Sequence, residues 1–168
     1  MLDAVYNHSN VTLIVVDNRI TGMTGHQENP GSGRNIKGEP ASAISVEQMV
    51  RTIGIENVRV IDPNDLKAVR GALDWAFSVD GPSVIITRWP CVLKRFSQQD
   101  KQEFSAAFTK KMKVGDNCIG CRSCLKCGCP ALSPVRGEKK VRIDRDMCVG
   151  CTVCAQVCPV GAITRKEL

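Results

Sequence analysis

Short apolar runs alternate with amphipathic stretches through the first half of the chain, and the rhythm then stops. Val11 to Val16 is an unbroken, β-branched apolar run that ends abruptly at Asp17-Asn18, the pattern of a strand buried on both faces of a parallel sheet. Leu2 to His8 reads as the last part of a helix packed beside it. Ser45-Val46-Glu47-Gln48 has the form of a capping box, opening a helix that runs through Met49, Val50 and Ile53 and stops at Gly54. Val58 to Ile61 is the next strand. Asp62-Pro63 is placed to cap a helix in which Leu66, Val69, Leu73, Trp75, Ala76 and Phe77 predict a broad buried face, and Gly81-Pro82 turns into a strand over Ser83 to Thr87. Strand and helix in alternation predict an α/β fold with a parallel sheet covered by helices. A sheet that opens with half a helix and one strand is expected to be the later part of such a domain.

Ser97 to Lys113 is polar and helix-prone, with Phe104 and Phe108 four apart. It predicts a linker helix resting an apolar edge on a neighbouring domain. After it only two short strands are expected, Arg142 to Asp144 within a hairpin and Ala162 to Thr164 closing the chain. The domains expected are therefore residues 1–93, a linker over 94–112, and a small α+β domain over 113–168.

Cysteine organises that last part. Every cysteine except Cys91 falls between Cys118 and Cys158. Cys148, Cys151, Cys154 and Cys158, followed by Pro159, reproduce the spacing of bacterial two-cluster ferredoxins; Cys118, Cys121, Cys124 and Cys129, followed by Pro130, differ by one residue in the last gap. A cube-shaped four-iron cluster needs a soft thiolate at each corner, and two residues between cysteines let one tight loop wrap three corners. The fourth cysteine of each run leads through its proline to the other cube. Cluster I is thus assigned to Cys118, Cys121, Cys124 and Cys158, and cluster II to Cys148, Cys151, Cys154 and Cys129. Ligation crossed in this way supplies much of the folding free energy of so short a segment. Zinc sites usually use pairs of cysteines separated by a longer stretch, not triplets ending in Cys-Pro. A disulfide framework suits a secreted domain, but Met1 to Asn10 lacks the basic start, apolar core and cleavage site of a leader. Cys127 is expected to be the spare thiol of the first run, and Cys91 a packed or free one.

The length of 168 residues suits one ordinary domain, or a small one with a ferredoxin-sized module. No apolar run approaches the roughly twenty residues that span a bilayer. The net charge of +6 suggests nucleic acid until it is divided: residues 1–109 hold 11 Lys and Arg against 12 Asp and Glu, −1, and residues 110–168 hold 12 against 5, +7. Each oxidised four-iron cluster with its thiolates carries about −2, which leaves the loaded module near +3. With seven aromatics and no basic–aromatic interleaving, neither nucleic acid nor membrane is an expected partner. A modest basic face would instead steer an acidic electron carrier.

Between the first strand and the capping box lies Asp17-Asn18-Arg19-Ile20-Thr21-Gly22-Met23-Thr24-Gly25-His26-Gln27, followed by the Gly/Pro-rich stretch Asn29 to Pro40. Ligands of open parallel sheets bind beyond the carboxyl ends of strands, where this loop sits. Its glycines could equally serve turns alone. Long loops in compact domains are more often functional than idle.

The stretch Asp17 to Gln27, the run Trp89-Pro90-Cys91-Val92-Leu93 and the double-cluster tail, in that order, resemble the C-terminal part of the large (alpha) subunit of indolepyruvate:ferredoxin oxidoreductase. That enzyme belongs to the thiamine-diphosphate-dependent 2-oxoacid:ferredoxin oxidoreductase superfamily. The resemblance covers essentially the whole chain and includes the longer gap before Cys129, with a non-cysteine usual in the family at the position of Cys127. It implies that residues 1–93 are part of a thiamine-diphosphate-binding domain. In the family a divalent metal, Mg²⁺, bridges the diphosphate to the protein, and Asn18 and the carbonyl of Ile20 match two of its ligands. Thr21, Gly22, Met23, Thr24 and Gly25 match the stretch beside the cofactor, with Gln27 at its end. His26 is the one side chain there able to exchange protons near neutral pH, which makes it the candidate catalytic residue.

The family's opening Gly-Asp metal motif would precede Met1, so the resemblance implies a truncated or split large subunit, inactive by itself toward the oxoacid. Its missing part would be encoded separately or lost. By the same resemblance the complete, cytoplasmic enzyme joins a small (beta) subunit, decarboxylates an arylpyruvate with coenzyme A as co-substrate, and passes electrons through two [4Fe-4S] clusters to a soluble ferredoxin. Two other classes fit the residues: a stand-alone ferredoxin-like electron-transfer module whose α/β portion docks a partner, and a zinc-stabilised interaction protein.

Overall fold

The computed structural model describes residues 1–104, Gln99 by its backbone alone, and residues 111–165. The chain divides into two compact units, Met1–Phe96 and Ser97–Leu168.

The first unit holds α1 (Leu2–Tyr6), β1 (Thr12–Asp17), α2 (Val46–Thr52), β2 (Asn57–Ile61), α3 (Leu66–Ser78) and β3 (Ser83–Arg88). The strands form a parallel sheet in the order β1-β3-β2, so the last strand of the unit is its centre. Thr12 and Asn57 both stand opposite Ser83. Side chains alternate across a strand, and β3 uses both faces. Val84 and Ile86 join Val50 and Ile55 on the α2 side; Ile85 joins Ala72 and Ala76 on the α3 side. All three are fully buried, a contribution of about 1.5–3 kcal/mol each.

Three expectations change here. β1 is not buried on both faces: among the described residues it pairs with β3 alone, and Ile14 and Val16 are 50% and 73% exposed. Its apolar run matches a central strand, but among the described residues no second strand covers its outer edge. Helix α3 begins later than Asp62-Pro63. Its cap is Asp65, whose carboxylate accepts from the N–H groups of Lys67 and Ala68 at 3.0 Å, while Asp62 closes the preceding turn by accepting from Asn64 N–H at 2.8 Å. Phe77 leaves the buried face and is 80% exposed. Ala72 and Ala76, four apart, mark the core stripe, and Phe77 lies about 100° round the helix from Ala76. Helix α2 has the expected cap, Ser45 Oγ accepting from Gln48 N–H at 3.2 Å, and ends where Gly54 takes φ +95°.

In the second unit α4 (Gln98–Glu103) is shorter than the predicted linker helix. It opens with a reciprocal capping box between Ser97 and Asp100, and Phe108 lies outside the described residues. Beyond α4 the chain builds two similar halves. The first runs β4 (Met112–Val114), a cysteine loop, a 3₁₀ turn over Ser123–Cys127, and β5 (Leu132–Pro134); the second runs β6 (Val141–Ile143), a cysteine loop, α5 (Val153–Gln156), and β7 (Ile163–Arg165). Pairing crosses between them, β4 antiparallel to β7 and β5 antiparallel to β6. The expected strands begin at Val141 and Ile163, one residue before and after their predicted starts. β4 lies on what the pattern assigns mainly to linker, because Met112 is its one strongly apolar inward position and is buried.

Candidate functional site

The two cysteine loops have the same backbone. Gly120 and Gly150 both take φ +71°, and Arg122 and Thr152 take +60° and +69° before their helical turns begin. Left-handed residues at these points bend each loop back on itself. Cys124 and Cys154, one residue into each turn, are buried. N–H groups point at sulfur in both halves: Ser123 donates to Cys121 and Val153 to Cys151, Met112 N–H lies 3.4 Å from Cys148 Sγ, and Ala162 N–H lies 3.2 Å from Cys158 Sγ.

The sulfurs fall into two groups. A small pocket is lined by Cys118, Cys121, Cys124 and Cys158, with Ile119, Val141 and Ile163 as its apolar wall. Cys124 feels the charges of Cys158, Cys118 and Cys121, and burial pushes its thiol up. In the second group Cys154 is pushed up to about 12, by burial first and then by Cys151, Cys148, Cys129 and Cys127. Cys151 is raised by burial and by Cys129 and Cys148. Cys121 differs: it is exposed, and hydrogen bonds from the Ser123 hydroxyl and N–H hold its thiol below the usual range. Among the described residues no three His, Cys, Asp or Glu gather closely enough for a single metal ion. Thiols ranged around a hollow, with N–H groups aimed at sulfur and no disulfide among them, fit a four-iron cluster instead. Cys127, taken from spacing as the spare of the first run, stands beside the second group, where Cys129 and Cys151 act on it.

The other sequence-marked residues meet at the carboxyl end of β1. Arg88 Nε donates to Asp17 Oδ2 at 2.9 Å. Trp89 N–H donates to the Asp17 carbonyl at 3.1 Å and Cys91 N–H to the Asn18 carbonyl at 3.0 Å, extending the β1–β3 pairing past both strands. Asn18 Oδ1 accepts from Ile20 N–H at 3.1 Å, and buried Ile20 anchors the loop. Thr21 and Gln27 exchange backbone hydrogen bonds at 3.0 and 3.1 Å. Thr24 Oγ1 donates to Gln27 Oε1 at 2.6 Å, and Gln27 Nε2 returns a bond to the Thr24 carbonyl. Gly22 lies under Asn18, whose Nδ2 would be 3.8 Å from a β-carbon there. Gly25 and His26 reverse the hairpin at φ +113° and +63°. His26 is exposed, and Met23 stands fully in solvent at 101%.

Asn18, Ile20, Thr21, Gly22, Thr24, Gly25 and Gln27 therefore belong to one small hairpin, with His26 at its turn and Met23 projecting from it. Among the described residues the Ile20 carbonyl accepts no hydrogen bond, and Asn18 Oδ1 keeps a lone pair beyond its bond to Ile20. Two hard oxygen donors at a strand's carboxyl end fit part of the coordination of Mg²⁺. Arg88, which ties Asp17 down, is missed by local reading because its partner lies 71 residues away.

A family model described as the thiamine pyrophosphate enzyme C-terminal TPP binding domain matches residues 1–87. A second, described as a 4Fe-4S binding domain, matches residues 141–164. Indolepyruvate oxidoreductase subunit IorA of Pyrococcus horikoshii is 39% identical over 166 residues, 98% of this chain and 25% of that protein. The subunit of the same name from Archaeoglobus fulgidus is 39% identical over 164 residues, 97% of this chain and 25% of that protein, and that of Thermococcus kodakarensis is 38% identical over 163 residues, 96% and 25%. The chain thus spans about a quarter of the length of these relatives. No solved structure matches.

Proposed function

The chain belongs to the thiamine pyrophosphate enzyme family through its C-terminal TPP binding domain, and from that premise we propose that it forms the cation-binding loop and electron outlet of an indolepyruvate (arylpyruvate):ferredoxin oxidoreductase large subunit. One observation carries the reading: a chain whose residues 1–87 match the thiamine family also gathers two groups of thiols, one of them around a hollow.

Bound thiamine diphosphate supplies the carbanion chemistry by which a 2-oxoacid loses CO₂. The chain's own residues do the rest. Asn18 Oδ1 and the Ile20 carbonyl offer oxygen to the Mg²⁺ that anchors the diphosphate. Thr21 to Gln27 holds the strand's end in shape beside them, and His26, exposed on the same turn, is the group there that can carry a proton. Cys118, Cys121, Cys124 and Cys158 hold one four-iron cluster, and Cys148, Cys151, Cys154 and Cys129 the other. The wall of Ile119, Val141 and Ile163 keeps water from part of the first.

Partners follow from charge and likeness. A small (beta) subunit completes the enzyme, coenzyme A takes the acyl group, and the excess of residues 110–168, +7 before loading and about +3 with both clusters, steers an acidic ferredoxin. Reduced thiols and cluster chemistry suit the cytoplasm. No helix among the described residues is long and apolar enough to cross a membrane.

Anaerobic reconstitution tests the outlet: about eight iron and eight acid-labile sulfides per chain are expected, with dithionite-reduced protein passing electrons to a ferredoxin. Colourless protein holding zinc would overturn it. The loop is tested in the assembled oxidoreductase, where Asn18→Ala should weaken the Mg²⁺-dependent binding of thiamine diphosphate. Unaltered cofactor affinity would leave a ferredoxin-like module with a docking domain as the better reading.

A further inference from the structure

The cysteine loops repeat at an offset of 30, Cys118 on Cys148, Cys121 on Cys151 and Cys124 on Cys154, yet the two do not meet solvent alike. Ile119 is 62% exposed, and Cys121 and Arg122 are exposed. Their counterparts Val149, Cys151 and Thr152 are half-buried, and Gly150 among them is buried. The residue after each Cys-Pro pair differs in the same sense, Val160 being exposed and Ala131 buried. Val160 belongs with the first loop: it lines one pocket with Ile119 and Cys121, and its carbonyl accepts from Asn117 Nδ2 at 3.3 Å.

Charge is divided the same way. Residues 148–157 hold no Lys, Arg, Asp or Glu. The first loop carries Arg122, and it is joined to the turn before β6. Arg122 Nη2 donates to the Glu138 carbonyl at 3.3 Å, and a β-carbon on Gly120 would stand 2.7 Å from Lys139 Cβ. That turn adds Arg136, Lys139 and Lys140, all exposed, against the carboxylate of Glu138. Exposed apolar residues around a ligating sulfur, bordered by cations, have the make-up of a protein interface, an apolar centre with a polar rim. A positive rim selects an acidic partner and speeds its approach.

We propose that this face of the first loop, Ile119, Cys121 and Val160 with Arg122 and Lys139 at their side, is the dock for a small acidic iron–sulfur carrier, so that electrons leave through the cluster held by Cys118, Cys121, Cys124 and Cys158. The proposal rests on the two-cluster reading. The transfer is balanced: one electron passes from that cluster to the carrier's oxidised cluster, the second cluster of this chain replaces it, and no bond or proton moves.

The test uses the whole chain, reconstituted anaerobically and reduced with dithionite, and an acidic two-iron ferredoxin of the plant type as the probe. Stopped-flow mixing should give a second-order rate of electron transfer that falls with added salt. Lys139→Glu should lower that rate about tenfold at low salt and flatten its salt dependence. Arg145→Glu makes the same change of charge in the turn before the second loop and should alter the rate less than about twofold. Lys139→Gln, which keeps the β-carbon packed on Gly120, should shift the rate in the same direction by less, with about eight iron retained. Carbodiimide cross-linking and mass spectrometry should join Lys139 or Lys140 to ferredoxin carboxylates. Fewer than about eight iron in the unaltered chain would overturn the two-cluster reading and this proposal with it. Full loading, with Lys139→Glu and Arg145→Glu slowing transfer equally, would overturn the dock alone and leave net charge as the cause. So would cross-links in the assembled oxidoreductase that join Lys139 to the small (beta) subunit and none to ferredoxin.

Discussion

Gly120 and Lys139 press together so closely that a β-carbon on Gly120 would stand 2.5 Å from the Lys139 carbonyl oxygen. The contact joins the first cysteine loop to the turn before β6. Gly120 also holds φ +71°, where a side chain costs about 1–2 kcal/mol before any clash is counted. Gly120→Ala should therefore deform the loop carrying Cys118 and Cys121. Iron analysis should show about half the cluster content lost; full loading would contradict this account of the loop.

The thiols should react in an order set by their surroundings. In the iron-free chain Cys121, exposed and lowered by its bonds from Ser123, is mostly thiolate at a lower pH than Cys124, Cys127, Cys151 and Cys154, which burial raises, and should alkylate before them. Cys154, pushed up to about 12 by burial and its neighbouring thiols, stays protonated through the usual range and should alkylate long after Cys121, gaining rate as pH rises. Because each ligand must shed its proton on binding iron, cluster uptake should also rise with pH. Mass spectrometry of the alkylated cysteines against time and pH reads the order directly.

Ser123 and Val153 occupy equivalent places, but only Ser123 adds a hydroxyl to the sulfur two residues before it. Hydrogen bonds to sulfur and solvent exposure raise a cluster's potential. The cluster held by exposed Cys121 should accept electrons first, and Ser123→Val should lower its potential while leaving the other unmoved. An EPR-monitored redox titration that finds equal shifts in both would refute the assignment.

In the first unit Arg88 and Asp17 lock β1 to β3 with 22% and 16% of their side chains exposed. Arg88→Met removes the nearer charged partner of a mostly buried carboxylate, leaving Arg19 at 3.8 Å, and should cost about 2 kcal/mol. Asp65→Ala removes the cap of α3 and should cost about 1 kcal/mol. Glu47→Gln breaks the exposed pair with Arg51 (3.0 Å) and should cost no more than about 0.5 kcal/mol. Urea denaturation of the loaded chain ranks the three, and a ranking with Glu47→Gln at the top would show that the surface pair had been undervalued.

Hydrophobic period alone placed α2, β2 and β3 within a residue or so, because those elements bury what they make. It misjudged β1 because an apolar run reports what a strand could bury, not whether a neighbour is present to cover it. It misjudged Phe77 because a helix with apolar residues on several sides does not say which stripe meets the sheet. Asp62 and Asp65 are both competent caps. The turn that Asp62 closes over Asn64 decided between them.

The sequence by itself determined the chemistry available: soft thiolates three residues apart that fit iron and sulfur, and an oxygen-bearing loop at a strand's carboxyl end. Those are local properties of residue type and spacing. Spacing also assigned Cys158 to the first set and Cys129 to the second. Tertiary structure decided how the two halves are joined, β4 pairing with β7 and β5 with β6 across segments far apart along the chain. Spacing alone left Cys127 as a spare of its own run. Folding sets it beside the second group, where Cys129 and Cys151 act on it, and no count of residues between cysteines contains that placement.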